Sequence, residues 1–597
     1  MAHTASPYAQ GDGTYYYLYL RSALFDRDLD FSNDLALLGQ PFNLGISHIT
    51  GRPKNFWTCG SAVFWSPFAA YARIHLAVTN ALGITNEIPN GAGPIAQRIT
   101  LFGSVAAGLA ALWLTFALCR RTFSARNSLF AVVALAFATP LSWYMLRQPS
   151  FSHANSAVAV AIFVTLWYGT QGGRSTRVWV LLGAALGLAM LVRPQDAIHA
   201  VLPLTEWCVL ALAALRLRER KALGSLVIKG LAFALSATSV YFVQLLAWRR
   251  IYGRWVLDPH EAHFLEFKSS RFLEVLFSSR FGLFSWHPLV YVAVIGLVAV
   301  ALSGRIEKKA RTFARLALVV FALQAIVNGA TVDWWGGWSF GGRRFLGCTI
   351  YFGFGLAMVL DSIVAAAQRW SSIVLKFALP MALLFVPSII NLQLADDYGA
   401  KRIPPGLPQD MLQLWTGATS RILASVYDST GNIGSAPLNW WLAAAANTSP
   451  AKYDLLSSAE TFYDHRAPES ILLSDDRYSL AGFGPKMTLE GRVAHWVQGA
   501  EATWGFALRR AEAIVADVTV FVPRAPAHVR LVVGGSEVAK QDLPSPGWTH
   551  FNFLLPATSL RSGINIARIE QLAPAPTNNT DLPGLAWGTV TLAPAKP

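Results

Sequence analysis

Residues 99–119 read ITLFGSVAAGLAALWLTFALC, a run of 21 residues in which no side chain carries a charge. A helix of about 20 mostly apolar residues is long enough to cross the hydrocarbon core of a membrane. Arg120 and Arg121 follow directly, as expected where a spanning helix leaves the membrane on its cytoplasmic side. The stretch therefore predicts a transmembrane helix, and it decides the fold class of the chain.

The same apolar pattern recurs along the middle of the chain. We predict ten spanning helices, near residues 99–119, 128–147, 155–172, 177–193, 198–216, 228–248, 287–303, 313–331, 345–361 and 372–392. Only 14% of the residues are charged, against about 25% in soluble proteins, which agrees with a large surface in contact with lipid. The predicted fold class is a polytopic α-helical membrane protein.

Basic residues mark one side of the predicted bundle. They concentrate in four short connections, around residues 120–126, 174–177, 216–221 and 305–315. Cytoplasmic loops are enriched in Lys and Arg, so these loops are assigned to the cytoplasm. Both ends of the chain then lie on the extracytoplasmic face. The positive charge behind the net +15 falls mostly in such loops. The sequence contains no compact basic run among aromatic residues, so nucleic-acid binding is not predicted.

The start of the chain does not by itself explain this topology. Residues 1–30 are polar and aromatic and contain no apolar segment of the kind that a signal peptide needs. An extracytoplasmic N-terminus requires something that carries it across the membrane. We therefore expect a further spanning helix upstream of Met1, and an in-frame apolar stretch before the assigned start would confirm it.

Four segments are predicted. Residues 1–98 form a first extracytoplasmic loop with amphipathic helices, and residues 99–392 form the transmembrane domain. Residues 393–500 form a mixed extracytoplasmic segment. In residues 501–597, alternating runs such as ADVTVFVP and HVRLVVGG, bounded by Gly and Pro, predict a β-sandwich. The four cysteines are scattered without CxxC spacing, which disfavours a disulfide framework or a zinc site.

Carboxylates are frequent in GDGTYYYLYLRSALFDRDLDFSND, residues 11–34. Transfer of a group to a hydroxyl needs a base that takes the hydroxyl proton, and a carboxylate serves that role. A carboxylate can also hold a divalent cation beside a phosphate leaving group. Asp12 is the preferred functional candidate on this chemistry. Asp28 and Asp30 fit better as residues that cap a helix and solvate a loop.

Basic residues also occur on the outer side of the predicted bundle. The outer segment 249–286 holds six Lys and Arg residues, against the positive-inside rule. An anionic ligand explains them, and an amphipathic helix on anionic headgroups explains them equally well. The loop DWWGGWSFGGRRF, residues 333–345, combines Asp333 with the pair Arg343 and Arg344. Arginine pairs bind phosphate and glycine permits close backbone approach, whereas an aromatic belt with snorkelling arginines is the alternative.

Several motifs in this order resemble bacterial membrane glycosyltransferases of the GT-C class. They are GDGTYYYLYLRSALFDRDLDF, GSAVFWSPF, QPSFSHANS, LVRPQD, FSSRFGLFSWHP and WWGGWSFGGRRF. That class includes relatives of protein O-mannosyltransferases and of the aminoarabinose transferase that modifies lipid A. The resemblance covers about residues 10–395. It implies a GT-C-like membrane domain, followed here by the predicted extracytoplasmic β-sandwich, which resembles carbohydrate-binding modules.

The resemblance implies a hexosyl- or pentosyltransferase in a bacterial inner membrane. Its donor would be a polyprenyl-phosphate sugar, its acceptor a hydroxyl of a glycan, lipid or protein outside the cytoplasm, and the reaction would invert the anomeric carbon. Asp12 matches the acidic residue taken as general base or metal-associated. Donor-phosphate binding is assigned by the same resemblance to Lys268, Arg271, Arg280, Arg343 and Arg344. Supporting residues are Asp28, Asp30, His153, Arg193 and Asp333. The one cofactor expected is a divalent cation, Mg²⁺ or Mn²⁺.

Two functions of other classes stay open. A lipid-linked-sugar transporter or flippase would show paired broken helices and inverted repeats near mid-membrane. No such duplication is visible, and the residues suited to chemistry lie outside the spans. A non-catalytic sugar-binding membrane protein would instead depend on the β-rich tail, where Trp504 and Trp548 are either sugar-facing or part of a core.

Overall fold

The structure is a computed structural model of the 597-residue chain. It describes residues 8–256, 264–267, 271–367, 373–431, 436–452, 456, 469–473, 475, 478–508, 511–561, 563–572 and 584–595. The chain divides into two compact units, Met1–Ala418 and Thr419–Pro597. The first unit is helical, and the second is built mainly from strands.

The first unit contains both short helices and longer apolar helices. In chain order they are α1 (Asp12–Arg21), α2 (Ser32–Leu38), α3 (Ser61–Ala81), α4 (Pro94–Cys119), α5 (Ala125–Ala138), α6 (Leu141–Leu146), α7 (His153–Gly169), α8 (Thr176–Val192), α9 (Val201–Arg216), α10 (Arg220–Tyr252), α11 (Glu274–Phe277), α12 (Leu283–Trp286), α13 (Leu289–Leu302), α14 (Lys308–Ala330), α15 (Thr349–Ala367) and α16 (Ile373–Gly399). Helix α17 (Met411–Thr430) contains the boundary between the units.

Membrane-spanning helices are present in the part of the chain that the structure describes. Six helices are long and apolar enough to cross a membrane: Pro94–Cys119, Pro194–Arg216, Arg220–Tyr252, Lys308–Ala330, Arg343–Ala367 and Ala378–Gly399. Shorter apolar helices are Ala125–Ala138, Thr176–Val192 and Leu289–Leu302. The predicted polytopic membrane fold is therefore confirmed. Each of the ten predicted spans falls on helical sequence, and the span near 128–147 is divided between α5 and α6 at Pro140.

Close helix packing in the first unit depends on small side chains. Helices α13 and α15 cross where a Cβ on Gly296 would lie 1.9 Å from the carbonyl oxygen of Gly355. No residue larger than glycine fits at that distance. Membrane helices commonly associate through small residues that allow close packing, because in lipid there is no hydrophobic driving force for apolar side chains to associate. The surrounding core is apolar and includes Phe313, Tyr351 and Phe354.

The second unit contains a two-sheet β-sandwich preceded by helix α18 (Ala436–Ala446). Its strands are β1 (Glu469–Leu472), β2 (Ser479–Ala481), β3 (Phe483–Leu489), β4 (Arg492–Val497), β5 (Glu501–Leu508), β6 (Ile514–Val522), β7 (Ala527–Val533), β8 (Ser536–Leu543), β9 (Gly547–Leu555), β10 (Gly563–Leu572) and β11 (Ala586–Pro594). One sheet has the order β3-β4-β11-β6-β9 with β1 paired to β11, and the other has the order β2-β5-β10-β7-β8. The described pairs are antiparallel.

The predicted β-sandwich is confirmed, although its strands begin at Glu469 rather than at residue 501. Strand β6 alternates buried and more exposed side chains, which is the period that revealed it. Strand β3 reads FGPKMTL and has no buried side chain, and β4 ends in four consecutive buried residues. Neither strand shows alternation. Trp504 is only 1% exposed and belongs to the core, whereas Trp548 is partly exposed and packs against Phe521.

Candidate functional site

Asp12 is the first residue of α1, and the two glycines around it fix its position. Gly11 has φ of 52°, a conformation that favours glycine. A Cβ on Gly13 would lie 2.0 Å from Oγ of Ser150, so α1 packs this closely against the loop before α7 only because the residue is glycine. The N-terminal end of a helix favours an acidic side chain electrostatically. The Asp12 side chain remains 24% exposed.

Asp12 forms an ion pair with Arg343. The carboxylate Oδ2 and the guanidinium Nη1 are 3.1 Å apart, although the residues are separated by 331 positions in sequence. The Arg343 side chain is 9% exposed, and its Cζ lies 5.2 Å from the ring centroid of Phe151. Among the described residues, its buried Nε has no hydrogen-bond partner. The pair is therefore enclosed on the arginine side and accessible on the carboxylate side.

Arg344 joins the two ends of the loop of residues 333–345, which we call the glycine-rich loop. Its Nη2 lies 2.6 Å from Oδ1 of Asp333, and its Nη1 donates to the Asp333 carbonyl oxygen at 3.1 Å. The Arg344 carbonyl oxygen accepts from Nε2 of Gln195 at 3.2 Å and from Nε2 of Gln324 at 3.1 Å. The loop is thus tied to the chain after α8 and to α14.

His153 and Arg193 meet at the same place. His153 begins α7 and Arg193 follows α8, and Nη1 of Arg193 lies 2.7 Å from Nδ1 of His153. A guanidinium only donates hydrogen bonds, so Nδ1 accepts and the imidazole is neutral in this contact. Nη2 of Arg193 donates to Oε1 of Gln195 at 2.8 Å. His153 therefore orients Arg193 and carries no positive charge of its own.

Three guanidinium groups come close together here, and we call Arg193, Arg343 and Arg344 the arginine cluster. Each of them lies near enough to the ring of His153 to interact with it electrostatically. The ion-pair partners are Asp12 on Arg343 and Asp333 on Arg344, and Asp196 interacts electrostatically with Arg193. Guanidinium groups bind phosphate and carboxylate through directed, charge-assisted hydrogen bonds. The arrangement suits an anionic ligand.

Tyr16 is a site residue that the sequence did not reveal. It lies one helical turn after Asp12 on α1, and it interacts electrostatically with Asp12, Arg193 and Arg343. Burial raises the pKa of the Tyr16 hydroxyl above its usual range, so the group stays protonated and can donate a hydrogen bond. The four-residue spacing from Asp12 was the available signal, but TYYYLYL reads as an apolar helix face.

The other predicted residues lie in different settings. Oδ1 of Asp28 accepts from Oγ of Ser22 at 2.8 Å and from the amide of Asp30 at 3.1 Å, so these carboxylates stabilise the turn before α2. The Arg280 guanidinium stacks on Trp335 in the glycine-rich loop, 3.7 Å from the ring centroid. Arg271 has an exposed side chain. Lys268 lies outside the described residues.

The divalent cation expected from the resemblance, Mg²⁺ or Mn²⁺, stays a prediction at this site. Mg²⁺ prefers several oxygen ligands, mostly carboxylates and water. Among the described residues, no group of three or more His, Cys, Asp or Glu side chains is placed to hold a metal ion. Asp12 and Asp333 each face a guanidinium instead.

Comparison with known proteins gives one family match. The family model described as dolichyl-phosphate-mannose-protein mannosyltransferase matches residues 96–242, which include most of α4, all of α5 to α9 and most of α10. His153 and Arg193 lie inside the matched segment, whereas Asp12 and the glycine-rich loop lie outside it. A comparison with curated protein sequences gives no match.

Solved structures also show similarity, at low identity. ArnT from Cupriavidus metallidurans bound to undecaprenyl phosphate is 14% identical over 70% of this chain and 70% of its own, with a TM-score of 0.34. The oligosaccharyltransferase of Archaeoglobus fulgidus is 13% identical over 68% of this chain and 53% of its own, with a TM-score of 0.37. A family 35 carbohydrate-binding module from Clostridium thermocellum is 13% identical over 21% of this chain and 99% of its own, with a TM-score of 0.17.

At these TM-scores the structural similarities carry no conclusion about function. The family match is independent of them and concerns about a quarter of the chain. Over residues 96–242 the chain is similar to the dolichyl-phosphate-mannose-protein mannosyltransferases, and this confirms the predicted resemblance to relatives of those enzymes.

Proposed function

We propose that the chain is a GT-C type glycosyltransferase that moves a sugar from a polyprenyl-phosphate donor to an extracytoplasmic acceptor hydroxyl. The observation that carries the proposal is the Asp12–Arg343 ion pair, which sets a carboxylate 3.1 Å from one guanidinium of the arginine cluster. The family match over residues 96–242 supports the same chemistry. The acceptor class, whether glycan, lipid or protein, stays open.

The arginine cluster would bind the donor phosphate. A polyprenyl-phosphate sugar is a phosphodiester with one negative charge, and its polyprenyl chain would lie in the lipid around the bundle. Arg343 begins the Arg343–Ala367 span and Arg193 directly precedes the Pro194–Arg216 span, so both lie at span ends. The predicted topology assigns those ends to the extracytoplasmic face. A phosphate at this level would keep its lipid tail in the membrane.

Binding of the phosphate would also release the base. Arg343 is shared between Asp12 and any anion that enters the cluster, and a phosphate competes for its donors. Asp12 would then accept a hydrogen bond from the acceptor hydroxyl. The partly exposed carboxylate allows that approach. The Tyr16 hydroxyl, which stays protonated, supplies a further hydrogen-bond donor beside it.

In the transfer step the acceptor oxygen forms a bond to the anomeric carbon, and its proton passes to Asp12. The bond between that carbon and the phosphate oxygen breaks, and its electron pair leaves with polyprenyl phosphate. The leaving group gains a second negative charge, which the three arginines would stabilise. Attack opposite the leaving group inverts the anomeric carbon. Atoms and charge balance without a further reactant.

The test is release of polyprenyl phosphate by the purified full chain. It is incubated with polyprenyl-phosphate sugars and a mixture of cell-envelope acceptors. We expect Asp12→Asn to lower the rate by about 100-fold or more, the range of a lost general base. Asp410→Asn is the matched control, because Asp410 caps α17 through the amide of Gln413 at 3.1 Å and asparagine caps a helix about equally well. It should retain the parent rate.

Three outcomes would contradict the proposal. Equal rates for the parent chain and Asp12→Asn, with both folded, would remove Asp12 from the mechanism. Movement of the intact donor across a vesicle membrane without release of polyprenyl phosphate would identify a flippase instead. Binding of sugars without either reaction would identify a non-catalytic sugar-binding protein.

We propose in addition that the second unit binds carbohydrate. A cleft of about 360 Å³ lies at the edge of its two sheets, lined by residues that include Lys452, Ser479, Phe483 and Lys486. Sugar sites combine an aromatic face with hydrogen-bonding side chains, and this cleft offers both. Its ligand would be the acceptor glycan or its product. Loss of glycan retention by Phe483→Ala in the full chain would support this role, and unchanged retention would contradict it.

A further inference from the structure

A groove lies at the end of the bundle opposite to the candidate site. It is lined by Trp113, Leu114 and Ala117 of α4, by Arg120, Arg121 and Ala125, and by Thr165 of α7. Helix α7 carries His153 of the candidate site at its first residue. Thr165 follows twelve residues later, which is about 18 Å along a helix that rises roughly 1.5 Å per residue. The groove is therefore separate from the candidate site.

We propose that this groove binds the headgroup of an anionic phospholipid. It encloses about 570 Å³, within the roughly 300–1,000 Å³ that is typical of small-molecule sites. Two guanidinium groups, those of the exposed residues Arg120 and Arg121, stand at its rim. Charge complementarity selects an anion, and guanidinium groups are suited to phosphate oxygens. Basic pockets between spanning helices are a common form of lipid site.

The other lining residues specify a lipid rather than a free anion. Trp113 is 65% exposed on α4, where an indole at the membrane interface packs beside acyl chains. Leu114 and Ala117 continue the apolar wall. Thr165 also lines the groove, and a threonine hydroxyl can donate a hydrogen bond to a phosphate or glycerol oxygen. A phosphodiester with attached acyl chains satisfies both the polar and the apolar parts.

The site would lie in the leaflet where the predicted basic loops are found. It is distinct from the proposed donor site, which uses the arginine cluster at the other end of α7. The alternative is that the Arg120 and Arg121 side chains extend to the headgroup region without binding a particular lipid. The two cases differ in whether stabilisation by lipid depends on these residues in particular.

The experiment measures the apparent melting temperature of the full chain in detergent. The probes are phosphatidylglycerol, phosphatidylcholine and inorganic phosphate. We expect phosphatidylglycerol to raise the melting temperature in a saturable way, because a ligand that binds only the folded state stabilises it. The double variant Arg120→Gln, Arg121→Gln should need on the order of tenfold more lipid for the same shift. Thr165→Val should weaken the response in the same direction with less change to the fold.

The matched control is Arg216→Gln, Arg218→Gln. It removes two exposed guanidinium groups from another predicted basic loop and leaves the groove intact. This control should respond to phosphatidylglycerol as the parent does. An equal loss of response in the groove variant and the control, or no loss in either, would overturn the proposal. A response to inorganic phosphate equal to that with phosphatidylglycerol would assign the groove to a free anion and overturn the lipid assignment.

Discussion

Among the acid–arginine pairs that involve the first 34 residues, Arg21–Asp34 and Asp12–Arg343 differ in burial and in sequence separation. Arg21 pairs with Asp34, thirteen residues away, and their side chains are 3% and 0% exposed. Asp12 pairs with Arg343 across 331 positions, and its side chain is 24% exposed. The first pair is local and sealed. The second joins distant segments and remains open to a ligand, so the same two residue types serve different ends.

The sealed pair has a structural role. Arg21 also contacts Asp26 at 2.6 Å, and the group fastens α1 to α2 and the turn between them. Breaking a buried pair by removing one partner is costly, because the remaining charge is left without compensation. The open pair can exchange its partner for a substrate. We therefore expect substitutions in the Arg21–Asp34 pair to lower stability and substitutions in the Asp12–Arg343 pair to lower the rate of transfer.

Asp34→Asn should give the largest loss of stability, about 3 kcal/mol, the lower end of the range for a broken buried pair, because the buried Arg21 would keep only the partly exposed Asp26 as a counter-charge. Protein that still folds should retain the parent rate per active molecule. The measurement is thermal or denaturant unfolding in detergent, together with the rate of polyprenyl phosphate release. Asp26→Asn is the control, because its side chain is 20% exposed and Arg21 would retain Asp34. A stable Asp34→Asn protein with no activity would reverse the comparison.

Gly13→Ala should have a smaller effect on stability and a clear effect on rate. The added Cβ would meet Oγ of Ser150 at 2.0 Å, so α1 must shift, at a cost of about 1–3 kcal/mol. Asp12 would move with α1, and small displacements of a reacting group can lower a rate by about 100-fold. Gly224→Ala in α10 is the control, since nothing lies within 4 Å of its added Cβ. Equal rates in both variants would show that the position of α1 is unimportant.

The sequence predicted the membrane fold well because its signals are local. Uncharged runs such as residues 99–119 identify a spanning helix without knowledge of its neighbours. Alternation identified β6 for the same reason. Strands β3 and β4 were not predicted, because the exposure of their side chains depends on neighbouring strands and does not alternate with a period of two. Pro140 interrupts the second predicted span because proline lacks the amide hydrogen that a helix needs.

The site was predictable in its residue types but not in its contacts. Loop charge and the family resemblance pointed to Asp12, Arg343 and Arg344, and the structure brings these into one region with His153 and Arg193. No local pattern reveals that Asp12 meets Arg343 rather than another outer arginine. A contact over 331 positions is set by the packing of the whole bundle.

A double-mutant cycle on the rate of polyprenyl phosphate release tests most directly whether Asp12 and Arg343 act together. It compares Asp12→Asn, Arg343→Gln and the double variant with the parent chain, each checked for its melting temperature. Residues that act as one unit lose activity together rather than independently. We expect each single change to lower the rate by about 100-fold or more and the double variant to lose little beyond either. Losses that multiply fully in the double variant would show that Asp12 and Arg343 act separately, and would contradict the proposed mechanism.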